Sequence, residues 1–304
     1  MNGEPRIRFA LLWPLAALLG LLTIAGMAGF SASQASASPS AGSVKKSTKP
    51  CIQLARFDDD NFPNRPQITN RFLPLIPGTK TTLEGTVEGV PHRVDFIVTD
   101  LTKRMAGVRT LVIWDTDTSE DEVVESELSF FAQDEDGNVW NLGEYPEEFE
   151  NGEFVGAPST WISGQDGAKA GIHMPAKRGV SSRLYVQGFA PEIDFLDCAH
   201  IVDRFERTCV PAGCFDDVTI TNETNALVPE DGIQSKYHAP RVGIIQIGSV
   251  EPATGEILAL TARERLSGDE LKEVREEALR LDRRGYEFGG DAYRATGRAR
   301  QLGD

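Results

Sequence analysis

Basic side chains, histidine and cysteine are scarce in this sequence. Its 304 residues contain 31 lysines and arginines against 46 aspartates and glutamates, with only four histidines and four cysteines, and the net charge is −15 at pH 7. An acidic surface of this kind repels nucleic acid and anionic lipid headgroups, and no basic patch interrupts it. We therefore expect no nucleic-acid partner and interpret most of the acidity as a solvated surface.

Motifs for nucleotide binding, metal binding and nucleophilic catalysis are also missing. The sequence has no G-x-G-x-x-G or Walker pattern and no train of alternating strands and helices, which disfavours a nucleotide-binding α/β fold. No histidines have H-E-x-x-H spacing, and "WISGQDG" has Ile162 directly before Ser163 and lacks the first glycine of a nucleophile elbow. The sequence therefore predicts no cofactor, no metal site and no catalytic residue.

The N-terminus indicates export. Arg6 and Arg8 precede an uncharged run over residues 9–30, and an A-x-A cleavage site follows at residues 35–37. We expect residues 1–37 to be a signal peptide. Because the uncharged run is almost long enough to span a bilayer, an uncleaved anchor is the alternative, and it would be the only contact with a membrane. Both interpretations place the rest of the chain outside the cytoplasm, secreted or on the cell surface.

The body of the chain has the pattern of antiparallel β structure. Residues 38–50 are rich in Ser and Lys and are interpreted as a flexible linker. From about Leu75 to Ala262, short runs rich in β-branched and aromatic residues alternate with Gly, Asp, Asn and Pro. We predict a mainly β domain over residues 51–264, built as a curved antiparallel sheet or a barrel-like domain.

One helix is predicted in the C-terminal segment, residues 265–304, and it should pack on the sheet. Ser267 and Glu270 have the spacing of a capping box, in which each side chain bonds the other residue's backbone NH. An apolar stripe follows at helical spacing: Leu271, Val274, Ala278 and Leu281. Gly285, directly after basic residues, is predicted to end the helix.

The acidic stretch "AQDEDGNVWNLGE", residues 132–144, invites comparison with a calcium loop. With its first glycine at position 6 of an EF-hand loop, Ala132 falls at position 1 and Gly143 at position 12. An EF-hand needs an oxygen ligand at the first position and a bidentate glutamate at the last. We therefore expect a tight turn and no calcium site, with a different cation site at Asp134 and Asp136 as the alternative.

The turn prediction fixes a pairing register and, through it, a ligand hypothesis. A two-residue type I′ turn at Asp136-Gly137 places Gln133 opposite Trp140 and Phe131 opposite Leu142. The helix can cover one apolar face of the sheet, and the other must then close around an interior. We expect that interior to bind a small apolar molecule and to be lined by four residues. They are Trp114, Phe131, Trp140 and Leu142.

The four cysteines are predicted to form two disulfides. Cys209 and Cys214 lie directly opposite each other if Pro211-Ala212 is the tip of a hairpin, and this leaves Cys51 for Cys198. A zinc site formed by Cys198, His200, Cys209 and Cys214 is one alternative, and a catalytic Cys198–His200 pair is another.

Five patches of the sequence resemble a group of secreted bacterial proteins for which no activity is established. They are "FLPLIPGT" (72–79), "AQDEDGNVWNLGE" (132–144), "GIHMPA" (171–176), "GCFDDV" (213–218) and "KYHAPRVGII" (236–245). The resemblance extends over roughly residues 57 to 290 and implies no site residue. At the level of fold, the chain is also similar to exported proteins that curve an antiparallel sheet around an apolar cavity, which implies no function.

These observations favour an exported, non-enzymatic binding protein for an apolar or amphipathic ligand. A structural or interaction protein without a pocket is the first alternative. A hydrolase that works through paired carboxylates is the second, with residues 58–60 and Glu147-Glu148 as the acidic clusters that offer such pairs. Both clusters are expected to be solvated loops.

Overall fold

The computed structural model of the protein describes residues 51, 54–177, 179, 184–250 and 255–303. The predicted signal peptide and linker, residues 1–50, lie outside this part of the chain. Among the described residues, no helix is both long enough and apolar enough to cross a membrane.

The described residues form fifteen strands, two α-helices and three short 3-10 helices, Asp59–Asn61, Pro191–Ile193 and Pro229–Asp231. The strands are β1 (Thr79–Val87), β2 (Val90–Met105), β3 (Val108–Ser119), β4 (Glu122–Gln133), β5 (Val139–Glu150), β6 (Glu153–Gly156), β7 (Trp161–Ile162), β8 (Lys169–Met174), β9 (Tyr185–Ala190), β10 (Phe195–Val210), β11 (Gly213–Asn225), β12 (Gln234–Ala239), β13 (Gly243–Ser249), β14 (Ile257–Arg265) and β15 (Arg300–Gln301). The helices are α1 (Gly268–Phe288) and α2 (Gly290–Arg294).

Within the described chain, twelve strands close into one antiparallel barrel. Their order is β1-β14-β13-β12-β11-β10-β9-β8-β5-β4-β3-β2, and β2 also pairs with β1. Tight turns make the hairpins: Glu88 and Gly89 join β1 to β2 with φ angles of 52° and 83°, as a type I′ turn requires. The prediction of a barrel-like antiparallel domain with a C-terminal helix packed on it is confirmed.

Helix α1 covers part of the outer face of the barrel. Its capping box is present, because the Ser267 hydroxyl accepts from the Glu270 NH and the Ser267 NH donates to the Glu270 carboxylate at 2.7 Å. Two residues of the predicted stripe, Ala278 and Leu281, are buried against Phe130 of β4. The apolar stripe therefore packs on the sheet, as expected for an amphipathic helix.

The predicted helix end at Gly285 is wrong, since α1 continues to Phe288 and Gly289 caps it. Gly285 is instead a point of close approach. A Cβ atom there would lie 2.3 Å from the ring of Tyr293, which packs against the last turns of the helix. Gly285 is therefore required for packing against Tyr293. From the sequence alone, such a glycine cannot be distinguished from one that ends a helix.

The face of the sheet that points away from α1 lines the barrel interior, and one end of this interior is apolar. Leu111, Phe131, Val139 and Met174 project there and are fully buried. A segment that precedes β1, residues 68–75, packs its side chains onto them and covers that end of the barrel. We refer to this segment as the plug.

The predicted register of the β4–β5 hairpin is wrong by one residue. Phe131 pairs with Asn141 and Gln133 with Val139, because the loop has three residues instead of two. The Gly137 NH bonds the Asp134 carbonyl and the Asp134 NH bonds the Asn138 carbonyl, which is a type I turn followed by a left-handed glycine. A slip of one residue reverses which side chains share a face.

The Asp134 side chain stabilises this longer loop. Its carboxylate accepts from the Asn138 backbone NH and side-chain amide, each at 2.8 Å, and from the Trp140 indole NH at 2.7 Å. These donors occupy both Asp134 oxygens, which a cation held by Asp134 and Asp136 would need. The stretch is a turn, as predicted, although of another type.

Both predicted disulfides are present. Cys209 pairs with Cys214 across the β10–β11 hairpin with a Cα–Cα distance of 4.0 Å, and Cys51 pairs with Cys198 at 6.0 Å. All four sulfur atoms are bonded in this way, so neither the zinc site nor the catalytic Cys198–His200 pair is formed.

Candidate functional site

The structure separates the four residues that were expected to line one pocket. Trp140 and Leu142 are buried in the cluster between the barrel and α1, and Trp114 packs against its edge. Phe131 points the other way, into the interior, where its ring lies 5.1 Å from that of His173. The one-residue register difference produces this separation.

An apolar groove lies on the outside of the barrel close to Trp140. It has a volume of about 340 Å³ and is formed by the chain after Cys51, the β2–β3 turn, the β7–β8 loop and the start of β8. We call it the outer groove; its lining residues are Leu54, Ala55, Phe57, Ala106, Ser163, Gly164, Ala168, Lys169 and Ala170. Few polar groups line it.

Two side chains give the outer groove its specific features. Phe57 forms one wall, and its ring centroid is 5.6 Å from that of Trp140, so the indole lies directly behind the groove. Lys169 is exposed and supplies the one positive charge among the lining residues. The Ser163 hydroxyl accepts a bond from the Ala170 NH and so holds the loop against β8.

A second feature lies inside the barrel, beyond the apolar end. Asp115 and Asp117 of β3 point inward and pair across the strands with Glu127 and Glu125 of β4, respectively. Glu144 of β5 lies opposite Ser129, which is on the same face as Glu127. We call these five carboxyl groups the acidic cluster.

Several polar atoms in and beside the acidic cluster have no hydrogen-bond partner among the described residues. These are both carboxylate oxygens of Asp115, Oε1 of Glu127 and the hydroxyl of Ser129. Asp115 is 4% exposed and Glu127 is 1% exposed. The Ser129 hydroxyl is close enough to Asp115 to favour its charged form but does not meet the geometry of a hydrogen bond. Buried acceptors of this kind are costly unless something donates to them.

Burial and mutual repulsion both act on these carboxyl groups. Burial raises the pKa of Asp115 well above its ordinary range, and the neighbouring charges of Asp117 and Glu144 raise it further. The pKa of Glu127 is raised by burial first and then by Glu144 and Glu125. The acidic cluster therefore holds protons at a pH where exposed carboxyl groups are ionised.

The wall of the interior that is formed by β11 and β12 contains a buried ion pair. Lys236 of β12 bonds Glu223 of β11 at 2.6 Å, and both are buried. Burial alone would lower the pKa of Lys236, but Glu223 and Asp197 raise it above its usual value. Burial lowers the pKa of His238 to about 4 and that of His173 to about 3, so both histidines are neutral near pH 7.

The sequence offered a signal for the acidic cluster that its motifs did not reveal. Residues 111–117 ("LVIWDTD") and 125–131 ("ESELSFF") carry acidic residues two apart, in phase with Ile113 and Phe131, which are interior residues. That period places acidic and apolar side chains on one face of a strand. The acidic groups proposed for a hydrolase are not assembled. Residues 58–60 are exposed, as expected, whereas the expected solvated loop at Glu147 is wrong, because Glu147 is buried in β5 and paired with Arg284 at 2.7 Å.

The interior carboxyl groups predict a loss of stability as the pH rises. Burial raises the pKa of Asp197 to about 8 and that of Glu256 to about 7, so the folded state resists their ionisation while the unfolded chain does not. Their stabilising effect is complete below about pH 4 and is lost as the pH rises through these values. His173 and His238 are neutral in the folded state, but in the unfolded chain they still bind part of a proton near pH 6.5, so each opposes the trend by about 0.4 kcal/mol between about pH 6.5 and about pH 8.5.

We expect the free energy of unfolding to fall by at least about 2 kcal/mol between about pH 6.5 and about pH 8.5, measured by urea denaturation, because Asp115 and Glu127 add to the effect of Asp197 and Glu256. The Asp197→Asn variant should reduce this fall by about 1–2 kcal/mol, because it removes one of the groups that keep a proton in the folded state after the unfolded chain has lost it. A profile that is flat or rises over this range would contradict the assignment.

The comparisons with known proteins are weak. No family model and no curated protein matches this chain. Two solved structures show some similarity. One is a candidate exported protein with a YmcC-like fold from Bacteroides fragilis, with 12% identity over 64% of this chain and 100% of that protein and a TM-score of 0.34. The other is a candidate lipoprotein from Parabacteroides distasonis, with 13% identity over 65% and 100% and a TM-score of 0.31. Similarity at this level carries no argument about what the present protein does.

Proposed function

We propose that the protein is an exported, non-enzymatic binding protein that holds an amphipathic small molecule in the outer groove. The apolar part of the ligand packs between Phe57 and Ala170, and an anionic headgroup faces Lys169. The observation that carries this proposal is the groove itself. Its volume of about 340 Å³ lies in the range of small-molecule sites, roughly 300–1,000 Å³.

The chemistry of the lining determines which part of a ligand it can stabilise. Alanine, leucine and phenylalanine side chains remove apolar surface from water and offer no hydrogen bonds, so an acyl chain fits them. Lys169 is the lining residue that can form an ion pair, and the groove contains no carboxylate to compete for it. A single-chain carboxylate matches both features.

The binding test compares a fatty acid with its neutral analogue. Laurate and dodecanol are titrated into the protein while tryptophan fluorescence is recorded, since Trp140 lies behind Phe57. Lys169→Glu should weaken laurate binding roughly tenfold or more, because an attraction becomes a repulsion. Dodecanol binding should not change. Lys272→Glu, on an α1 side chain that is 65% exposed, is the matched control for net charge.

A second variant tests the apolar wall separately. Phe57→Ala removes one side of the groove and should weaken laurate and dodecanol to a similar extent. Unchanged laurate affinity in Lys169→Glu would contradict the headgroup assignment. Failure of both ligands to bind the unmodified protein would rule out the groove as a site of this class.

A further inference from the structure

We propose that the interior of the barrel contains a second binding site, in which Asp115 and Glu127 hold a small organic ammonium ion. The site is separate from the outer groove, which lies on the other side of the barrel wall. It is formed by the acidic cluster of strands β3, β4 and β5.

The argument starts from the unpartnered acceptors. Asp115 offers two carboxylate oxygens and Glu127 offers one, and none of the three receives a hydrogen bond from the described residues. The two side chains belong to a directly opposed cross-strand pair and are therefore neighbours on the interior face of the sheet. Once ionised, these carboxylates only accept hydrogen bonds, so a ligand that satisfies them must be a donor, and an ammonium group presents three donors and no acceptor.

The charges around the cluster also favour a cation. On β3, β4 and β5 the interior residues near Asp115 are carboxylic acids, serine, asparagine and apolar groups, with no lysine or arginine. From the neighbouring strands, His92 of β2 lies 3.6 Å from the Asp117 carboxylate, and Lys236 of β12 already forms an ion pair with Glu223. A ligand cation would offset the repulsion between Asp115, Glu127 and their acidic neighbours.

A bare metal ion fits the cluster less well than an ammonium group. Among the described residues, no three or more His, Cys, Asp or Glu side chains are arranged so that they could hold a metal ion. A metal requires several oxygens at short and regular distances. A protonated amine needs only two or three acceptors, which Asp115 and Glu127 supply.

The architecture gives the cation a direction of entry. The plug covers the apolar end of the barrel, whereas the cluster extends from Asp115 through Asp117 towards the β3–β4 turn. Glu125, the outermost member of the cluster, is partly exposed. The turn itself carries Glu120 and Asp121, both exposed, and concentrates cations near this end of the barrel.

Binding should be coupled to proton release. The carboxyl groups of the empty cluster hold protons because burial and repulsion disfavour their ionised forms. A bound ammonium ion favours the carboxylates, so each carboxylic acid that ionises releases its proton to solvent while the amine keeps its own. Affinity should therefore rise with pH over the range in which the free amine stays protonated.

Calorimetry with putrescine tests the site, and 1,4-butanediol serves as the neutral analogue of similar length. We expect putrescine to bind at about pH 7.5 and the diol to give no binding heat. Repeating the titration in buffers with different ionisation enthalpies should show net proton release. Asp115→Asn and Glu127→Gln should each weaken putrescine roughly tenfold or more, because a charge-assisted hydrogen bond is lost.

Three controls keep the result specific. Glu276→Gln changes an exposed carboxylate on α1, away from the β3–β4 turn, and should leave the affinity unchanged. Lys169→Glu, in the outer groove, should also have no effect on putrescine. Asp115→Asn and Glu127→Gln replace buried acids by neutral amides of similar shape that have no cost of ionisation, and they should keep the thermal midpoint at or above that of the unmodified protein, so lost binding cannot be attributed to unfolding.

Several results would overturn the proposal. Equal binding of the diol would show that charge does not matter. Unchanged putrescine affinity in both cluster variants would place any binding elsewhere. An absence of putrescine binding, or binding without proton release, would exclude a cation site formed by carboxyl groups that are protonated when the site is empty.

Discussion

Removal of the Cys51–Cys198 disulfide, by alanine at both positions, is expected to lower the free energy of unfolding by about 5 kcal/mol. The bridge joins residues 147 positions apart, so it constrains a large part of the unfolded chain. It also ties the chain that runs to Phe57 down to β10, beside the outer groove. Urea denaturation of the oxidised proteins measures the loss.

The other disulfide provides the matched comparison. Cys209 and Cys214 are only five positions apart, and the same alanine replacement should cost about 2 kcal/mol. The long-bridge variant should in addition bind laurate more weakly, because the groove wall is no longer anchored. Equal losses of stability in the two variants would show that loop entropy does not govern the difference.

The Lys103→Met variant is expected to lose about 3–5 kcal/mol of unfolding free energy. Lys103 of β2 is buried under α1, where its ammonium group donates to the Asp282 carboxylate at 2.6 Å, the Tyr286 hydroxyl at 2.9 Å and the Gly297 carbonyl at 2.8 Å. Its replacement leaves the Asp282 charge buried without a cation. Urea denaturation gives the size of the loss, and limited proteolysis within α1 shows whether the helix detaches first.

A double variant and a surface variant separate charge from packing. Lys103→Met/Asp282→Asn removes the uncompensated charge but keeps a side-chain oxygen for the Ala299 NH, so it should be more stable than the single variant. Arg207→Met breaks an exposed ion pair with Asp216 and should cost less than about 1 kcal/mol. A single variant no weaker than Arg207→Met would contradict the role given to this network.

The parts of the fold that local chemistry governs were predictable. Period-2 patterns and turn residues gave the antiparallel strands, and the spacing of Ser267 and Glu270 gave the start of α1. The disulfides followed because a short hairpin fixes which cysteines face each other. Each of these signals depends on residues close in sequence, or on elimination among four cysteines.

The candidate sites were much less predictable. The outer groove combines the chain after Cys51 with two loops and the edge of β8, and no pattern in any of them indicates that they meet. The acidic cluster was missed for a different reason. Acidic residues two apart on a strand usually face water, and only closure of the sheet turns that face inward.

By itself, the sequence determined the class of fold, the position of the helix and the cysteine pairing, because backbone propensity, capping and turn chemistry act over a few residues. The tertiary structure decided the register of the β4–β5 hairpin, through one additional loop residue held by Asp134, and with it the separation of Phe131 from Trp140 and Leu142. It also decided which face became the interior. Closure of the barrel and packing of α1 together determine whether a side chain is buried or exposed. Both depend on contacts between residues that are far apart in sequence.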